Sequence, residues 1–220
     1  MNSISEVTDR LASNETGMEP WLWMPLLKLL ALGDPVDVSD LAAATGRAGE
    51  EVRTALKAMG DTEYDGSGRI IGQGLTQRPT QHRFEVNGEQ LYTWCALDTL
   101  IFPTLLGASA RIESSHQATG TPVRVAVTAM GVTSVEPATA VVSLVNPEDI
   151  SSVRSSFCNQ VHFFASPEEA APWLETHPGG TIMPVKEAYE LGSSMAEKML
   201  THTPGPATDQ VSNGVQSCAC

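Results

Sequence analysis

Residues 36–75, VDVSDLAAATGRAGEEVRTALKAMGDTEYDGSGRIIGQGL, decide how the first third of the chain folds. Ser39 can cap a short helix that runs to Ala44, because its hydroxyl can satisfy an unpaired first-turn amide. Gly46 breaks that helix. A second one follows over Gly49–Met59, with Val52, Leu56 and Met59 recurring on one face. Two short helices about a glycine-containing turn make a helix-turn-helix pattern. The two short strands on either side of Asp65-Gly66-Ser67-Gly68 then read as a hairpin, the wing of a winged helix. Upstream, Trp21–Leu32 (WLWMPLLKLLAL) reads as an apolar helix stopped by Gly33-Asp34-Pro35.

Charge argues against a DNA-binding use of this module. Between Val36 and Gly60, three basic residues (Arg47, Arg53, Lys57) face four acidic ones (Asp37, Asp40, Glu50, Glu51). The second helix opens Gly-Glu-Glu, which points carboxylates where phosphates would sit. The module is expected to be structural. The whole chain of 220 residues carries 26 acidic and 13 basic side chains, a net charge of -13. Neither residues 1–80 nor residues 81–220 are basic, so nucleic acid and anionic membrane surfaces are excluded as partners. At 41% apolar residues and a mean hydropathy of -0.08, the composition suits a globular core. The longest apolar run is too short to span a bilayer, and MNSISEVTDR lacks the pattern of a signal peptide. A cytoplasmic location follows as the expectation, and the missing coiled-coil pattern suggests a monomer.

From His82 the texture changes. HRFEV reads as a strand and GEQLYTWCALDTLIFPTLLG as one apolar helix ending near Pro103. RIESS and PVRVAVTAM look like paired strands. ATAVVSLVN and FCNQVHFFAS read as buried strands, with a short helical segment near Pro147–Ser156 between them. PEEAAPWLETH and VKEAYELGSSMAEKML read as helices split by His177-Pro178-Gly179-Gly180. The fold class expected is therefore α+β. A winged-helix-like region covers residues 1–80, and a mixed α/β domain with a small, largely antiparallel sheet covers 81–200. A Pro-, Gly- and Ser-rich tail over 201–220, ending Cys218-Ala219-Cys220, is expected to be disordered.

Chemistry concentrates in LYTWCALDTLIF. On a helix Cys95 and Asp98 are three apart and share a face with apolar neighbours. An ionised Asp on such a face is costly unless paired, so its pKa should rise until it exchanges a proton near neutrality. Beside a thiol, that carboxyl can take the thiol proton and later deliver it. The plainer alternative is an Asp at a helix N-terminus satisfied by backbone amides. Strand alternation would place Cys158, Gln160 and His162 on one side of FCNQVHFFAS. Two buried thiols can be ordinary core. Two thiols are also too few for structural zinc, and they suit a soft ion such as Cu(I) or Hg(II) that accepts few sulfur ligands.

The run through Thr62–Asp65, Gly68–Gly72, Leu91–Gly107, VEPA, SLV, Phe157-Cys158 and VHFFAS resembles the organomercurial (alkylmercury) lyase family over roughly residues 20–200. The resemblance implies a winged-helix-like region joined to a mixed α/β catalytic part. It implies cleavage of carbon–mercury bonds to a hydrocarbon and Hg(II), with no organic cofactor. The family's two cysteines and aspartate match Cys95, Cys158 and Asp98, which would also hold the Hg(II) product. Trp94, Phe157 and Phe102 become candidate apolar walls for the organic group. External low-molecular-weight thiols would release Hg(II), and a mercuric reductase would accept it. A relay of Hg(II) by Cys218 and Cys220 is a further expectation. The competing readings are a thiol-based soft-metal carrier and a winged-helix metal sensor, neither with turnover.

Overall fold

The computed structural model describes residues 19–115, 120–147 and 152–201. The expectation of a disordered tail, and the Cys218 and Cys220 thiols, lie outside the described residues. The first helix, α1 (Pro20–Leu30), has Pro20 in its first turn, where a missing N–H costs nothing. Leu22, Trp23, Met24, Leu26, Leu27 and Leu30 are all buried, so α1 is apolar around most of its circumference and runs through the core. Helices α2 (Val38–Thr45) and α3 (Gly49–Met59) pack on it. Gly46 closes α2 in the left-handed conformation, and α3 buries Val52, Leu56 and Met59.

The wing does not stand free. Strands β1 (Glu63–Tyr64), β2 (Ile70–Gln73) and β3 (Leu75–Thr76) continue into β4 (His82–Val86) and β5 (Glu89–Thr93). With β6 (Ala110–Ser115), β7 (Pro122–Thr128) and β8 (Gly131–Glu136) they form one eight-stranded sheet in the order β1-β2-β3-β5-β4-β6-β7-β8. Every pairing in it is antiparallel. The strands β4, β6 and β7 alternate buried and outward residues, one face on the core and one in water. A second sheet of three strands sets β9 (Val141–Leu144) between β10 (Phe163–Phe164) and β11 (Thr181–Pro184). All four residues of β9 are buried.

Three expectations need correction. The stretch from Gly88 is not one helix: Glu89–Thr93 is strand β5, hydrogen-bonded to both β3 and β4, and helix α4 occupies Ala96–Leu106. Nor does α4 end near Pro103. It continues to Gly107, which caps it with amides donating to the Pro103 and Thr104 carbonyls. Finally, FCNQVHFFAS is extended only at Phe163–Phe164, and Cys158–Gln160 form a single 3-10 turn after the short helix α5 (Val153–Ser156). Cys158, Gln160 and His162 therefore share no strand face. Beyond them, α6 (Pro167–Thr176) starts on a Ser166 cap, and α7 (Val185–Thr201) lies along α4. At Gly192 the two helices approach so closely that a Cβ would stand 2.8 Å from the Ile101 side chain.

Candidate active site

Cys95 stands between β5 and α4 and is the N-cap of the helix. Its thiol sulfur accepts from the Asp98 amide at 3.4 Å, and the Asp98 carboxylate accepts from the Cys95 amide at 3.2 Å. This is a capping box in which a thiol replaces the usual hydroxyl. The functional and the plain sequence readings of Asp98 thus hold together: it is a helix-N-terminal Asp bonded by backbone, and it also lies against a thiol. Cys95 stands just outside the helix and Asp98 in its first turn, and the cap brings them as close as a shared face would.

Cys158 reaches the same point from the other side. The Ala96 amide, first in α4, donates to the Val161 carbonyl at 3.1 Å, which ties the two cysteine segments directly. Ser143 of β9, wholly buried, holds the turn from behind: its hydroxyl donates to the Gln160 carbonyl (3.0 Å) and accepts from the His162 amide (2.9 Å). As a result one ligand atom each from Cys95, Asp98 and Cys158 lies within 4.8 Å of the other two. Both thiols are free and buried, and Asp98 is half-buried.

The electrostatics of the three groups differ in a useful way. Burial pushes the Asp98 carboxyl up to about 6, against the lowering effect of its hydrogen bonds with Cys95 and the Trp94 backbone. Burial also drives the Cys95 thiol well above its ordinary value, helped by its contact with Cys158 and the Asp98 charge. A hydrogen bond with Cys95 pulls the Cys158 thiol down, but burial and the carboxylates of Asp98 and Asp61 outweigh it and leave it raised. Arg154 acts on Cys158 in the opposite, lowering direction. At neutral pH the resting site accordingly holds two protonated thiols beside a carboxyl that is mostly ionised.

Asp98 and Cys158 open on an apolar cavity of about 50 Å³. Trp94, Phe102 and Phe157, expected as walls, all line it. Sequence reasoning missed Trp23 from α1 and Met195 from α7, which close the cavity from elements distant in sequence. The only available signal was the all-round apolar character of α1, which marks a buried helix without saying what it borders. Also missed were Asp61 and Glu63, which bind the segment leading to Cys158.

Two buried thiols and a carboxyl that protonates near neutrality, converging beside an apolar cavity, define a soft-metal site with its own proton source. The sequence profile of "Alkylmercury lyase" matches residues 75–197, and that of "Helix-turn-helix domain of alkylmercury lyase" matches residues 4–74. An alkylmercury lyase of Streptomyces lividans is 60% identical over 182 residues, covering 83% of this chain and 85% of the relative. One from Staphylococcus epidermidis is 50% identical over 202 residues, covering 90% and 94%. Among solved structures, the mercury-bound form of MerB2 superposes with a TM-score of 0.74 at 26% identity, covering 89% of this chain and 99% of that one. The chain belongs to the alkylmercury lyase family and is an enzyme, a carbon–mercury lyase. Among the described residues no helix is long and apolar enough to cross a membrane.

Proposed function

We propose that Cys95, Cys158 and Asp98 cleave the carbon–mercury bond of an organomercurial by protonolysis, giving a hydrocarbon and Hg(II). The observation that carries this reading is the convergence of both sulfurs and the carboxyl within 4.8 Å. The substrate R–Hg–SR′ meets one thiol, whose proton passes to the ionised Asp98 as the sulfur binds mercury. Coordination to a metal makes a thiol give up its proton even where burial holds it protonated. The second thiol binds in turn, and its proton leaves with the displaced R′S⁻ as R′SH. Two sulfurs on mercury push electron density onto carbon, the mercury–carbon bond breaks, and carbon takes the proton from Asp98. The balance is R–Hg–SR′ plus two protein thiols giving R–H, R′SH and Hg(II) on two thiolates. A proton delivered by a positioned acid contributes typically about 10²–10⁴ in rate, and holding all groups on one atom adds to it.

No organic cofactor enters this sequence. Hg(II) leaves to low-molecular-weight thiols and onward to a mercuric reductase, in a reducing cytoplasm. The enzyme acts as a monomer in this scheme, and the apolar walls of Trp94, Phe102 and Phe157 receive the organic group. Hydrocarbon release from phenylmercury and methylmercury, read by gas chromatography with excess thiol, tests the assignment. Wild type should release benzene or methane, Cys95→Ala and Cys158→Ala should not, and Asp98→Asn should bind Hg(II) without cleaving. Full cleavage by Asp98→Asn would remove the carboxyl from the reaction. Removing residues 201–220 tests the relay: slower passage of Hg(II) to added thiol is expected, and an unchanged rate would overturn it.

A further inference from the structure

Arg154 is one residue of the short helix that leads into Phe157 and Cys158, and it touches three parts of the molecule at once. Its guanidinium pairs with the Glu63 carboxylate on β1 and lies 4.7 Å from the centre of the Trp94 ring. Its backbone amide donates to Asp61 at 3.3 Å. Ser152, the cap of the same helix, donates its hydroxyl to both Asp61 carboxylate oxygens at 3.1 and 3.0 Å. Asp61 itself holds a positive φ of 51°, in the left-handed region that Asp enters more readily than most residues. Glu63 is buried, its second oxygen accepts from the Thr76 hydroxyl, and Gly72 leaves the room: a Cβ there would run into that oxygen. A buried carboxylate in a tailored slot and a second carboxylate therefore both face one four-residue helix.

We infer that Arg154 is a positioning residue, and that with Asp61 and Glu63 it forms a clamp through which the helix-turn-helix region fixes where Cys158 and the Trp94 ring stand about the mercury. The inference rests on the dithiol reading of the site. In that reading Cys95 is held by its own helix cap and needs no outside support. Cys158 sits in a 3-10 turn that Ser143 and the Ala96 amide hold on its C-terminal side. On the other side a helix of a single turn leads into it, so its approach to Cys95 depends also on what anchors that helix. The clamp supplies the anchor, and Trp94, packed under the guanidinium, carries the same constraint to the cavity wall. A misplacement of about 1 Å in such an arrangement can cost on the order of 10²-fold in rate.

The test compares Arg154→Gln, Arg154→Lys and the double variant Glu63→Gln/Arg154→Gln. All are made in full-length protein with Cys218→Ser/Cys220→Ser, so that only the two core thiols are counted. Phenylmercury cleavage gives kcat and KM, and X-ray absorption gives the number of sulfurs on one equivalent of Hg(II). Arg154→Gln should lower kcat about 10- to 100-fold with KM within about twofold, as expected for a lost positioning contact. The sulfur count should fall from two towards one, and Arg154→Lys should restore part of both. The double variant removes the orphaned buried carboxylate, so it should regain thermal stability while kcat stays low. A double variant that regains full kcat and two sulfurs, or an Arg154→Gln that never lost them, would overturn the clamp. Cys158→Ala run alongside separates the two readings: if it still cleaves, the dithiol reading falls and the clamp with it.

Discussion

Asp98 is the residue on which stability and chemistry pull in opposite directions. Its carboxyl is raised to about 6 from an ordinary 3.8, chiefly by burial, so the fold favours its protonated form. A group raised in the folded state contributes its full stability below its unfolded pKa and loses it as pH climbs through the folded value. The protein should therefore weaken between about pH 4 and pH 7 by up to roughly 3 kcal/mol from this group alone. The return is a base that is ionised at neutral pH next to two protonated thiols. Asp98→Asn, which cannot ionise, should be more stable than wild type at pH 7.5, with the gap narrowing as pH falls from about 7 and closed by about pH 4. Urea melts of both proteins at a series of pH values read this out. A difference that stays constant across the range would mean that Asp98 is not buried against its charge in solution.

The elements explain which parts of this site were legible in the sequence. Helix α3 and its buried face, the hairpin at Asp65–Gly68, and the pair Cys95 and Asp98 were readable because each is a local pattern of at most a few turns. The start of α4 is not legible in the same way, because residues 91–106 are apolar without a break at the point where strand β5 gives way to the helix. A signal did exist: Asn87-Gly88, both at positive φ, is the two-residue turn joining β4 to β5, with Val86 opposite Glu89. The setting of Cys158 was not readable, because a 3-10 turn held by Ser143 at Gln160 and by Ala96 at Val161 depends on partners 17 and 65 positions away. That dependence is itself testable. Ser143→Ala removes one donor and one acceptor from part-buried backbone groups of Gln160 and His162. The loss should be about 2 kcal/mol in urea unfolding, since buried polar groups left without partners cost about 1–3 kcal/mol. Hydrocarbon release should fall more than stability at working temperature accounts for. An unchanged midpoint together with unchanged turnover would mean that the Ala96–Val161 hydrogen bond alone holds the turn.

At the scale of the molecule, a helix-turn-helix region belongs to an enzyme, and its contacts join it to the catalytic sheet. The hairpin that would be a wing is paired on its inner side with β3 and bridged by Val36 at Ile70, so it forms the edge of the catalytic sheet. On α3 and the turn before it, both arginines are paired. Arg47 pairs with Glu51 and lies 4.1 Å over the Trp21 ring, and Arg53 pairs with Glu50 at 3.5 Å. Lys57 sits in the last turn of α3, where it offsets the negative end of the helix dipole. What remains is a surface of net negative sign on a chain of charge -13. Affinity for a phosphate backbone comes from cations that displace its counterions, and the described helices offer few of them. The purified protein should therefore leave a labelled duplex unshifted even at about 50 mM salt, where cationic contacts count most. Fluorescence anisotropy at rising protein concentration measures it, with and without Hg(II) on the two thiols. A rise in anisotropy that disappears with added salt would restore the metal sensor as a second activity. A flat titration in both states leaves the helix-turn-helix region its role inside the enzyme: it covers the cavity with α1 and anchors the segment that carries Cys158.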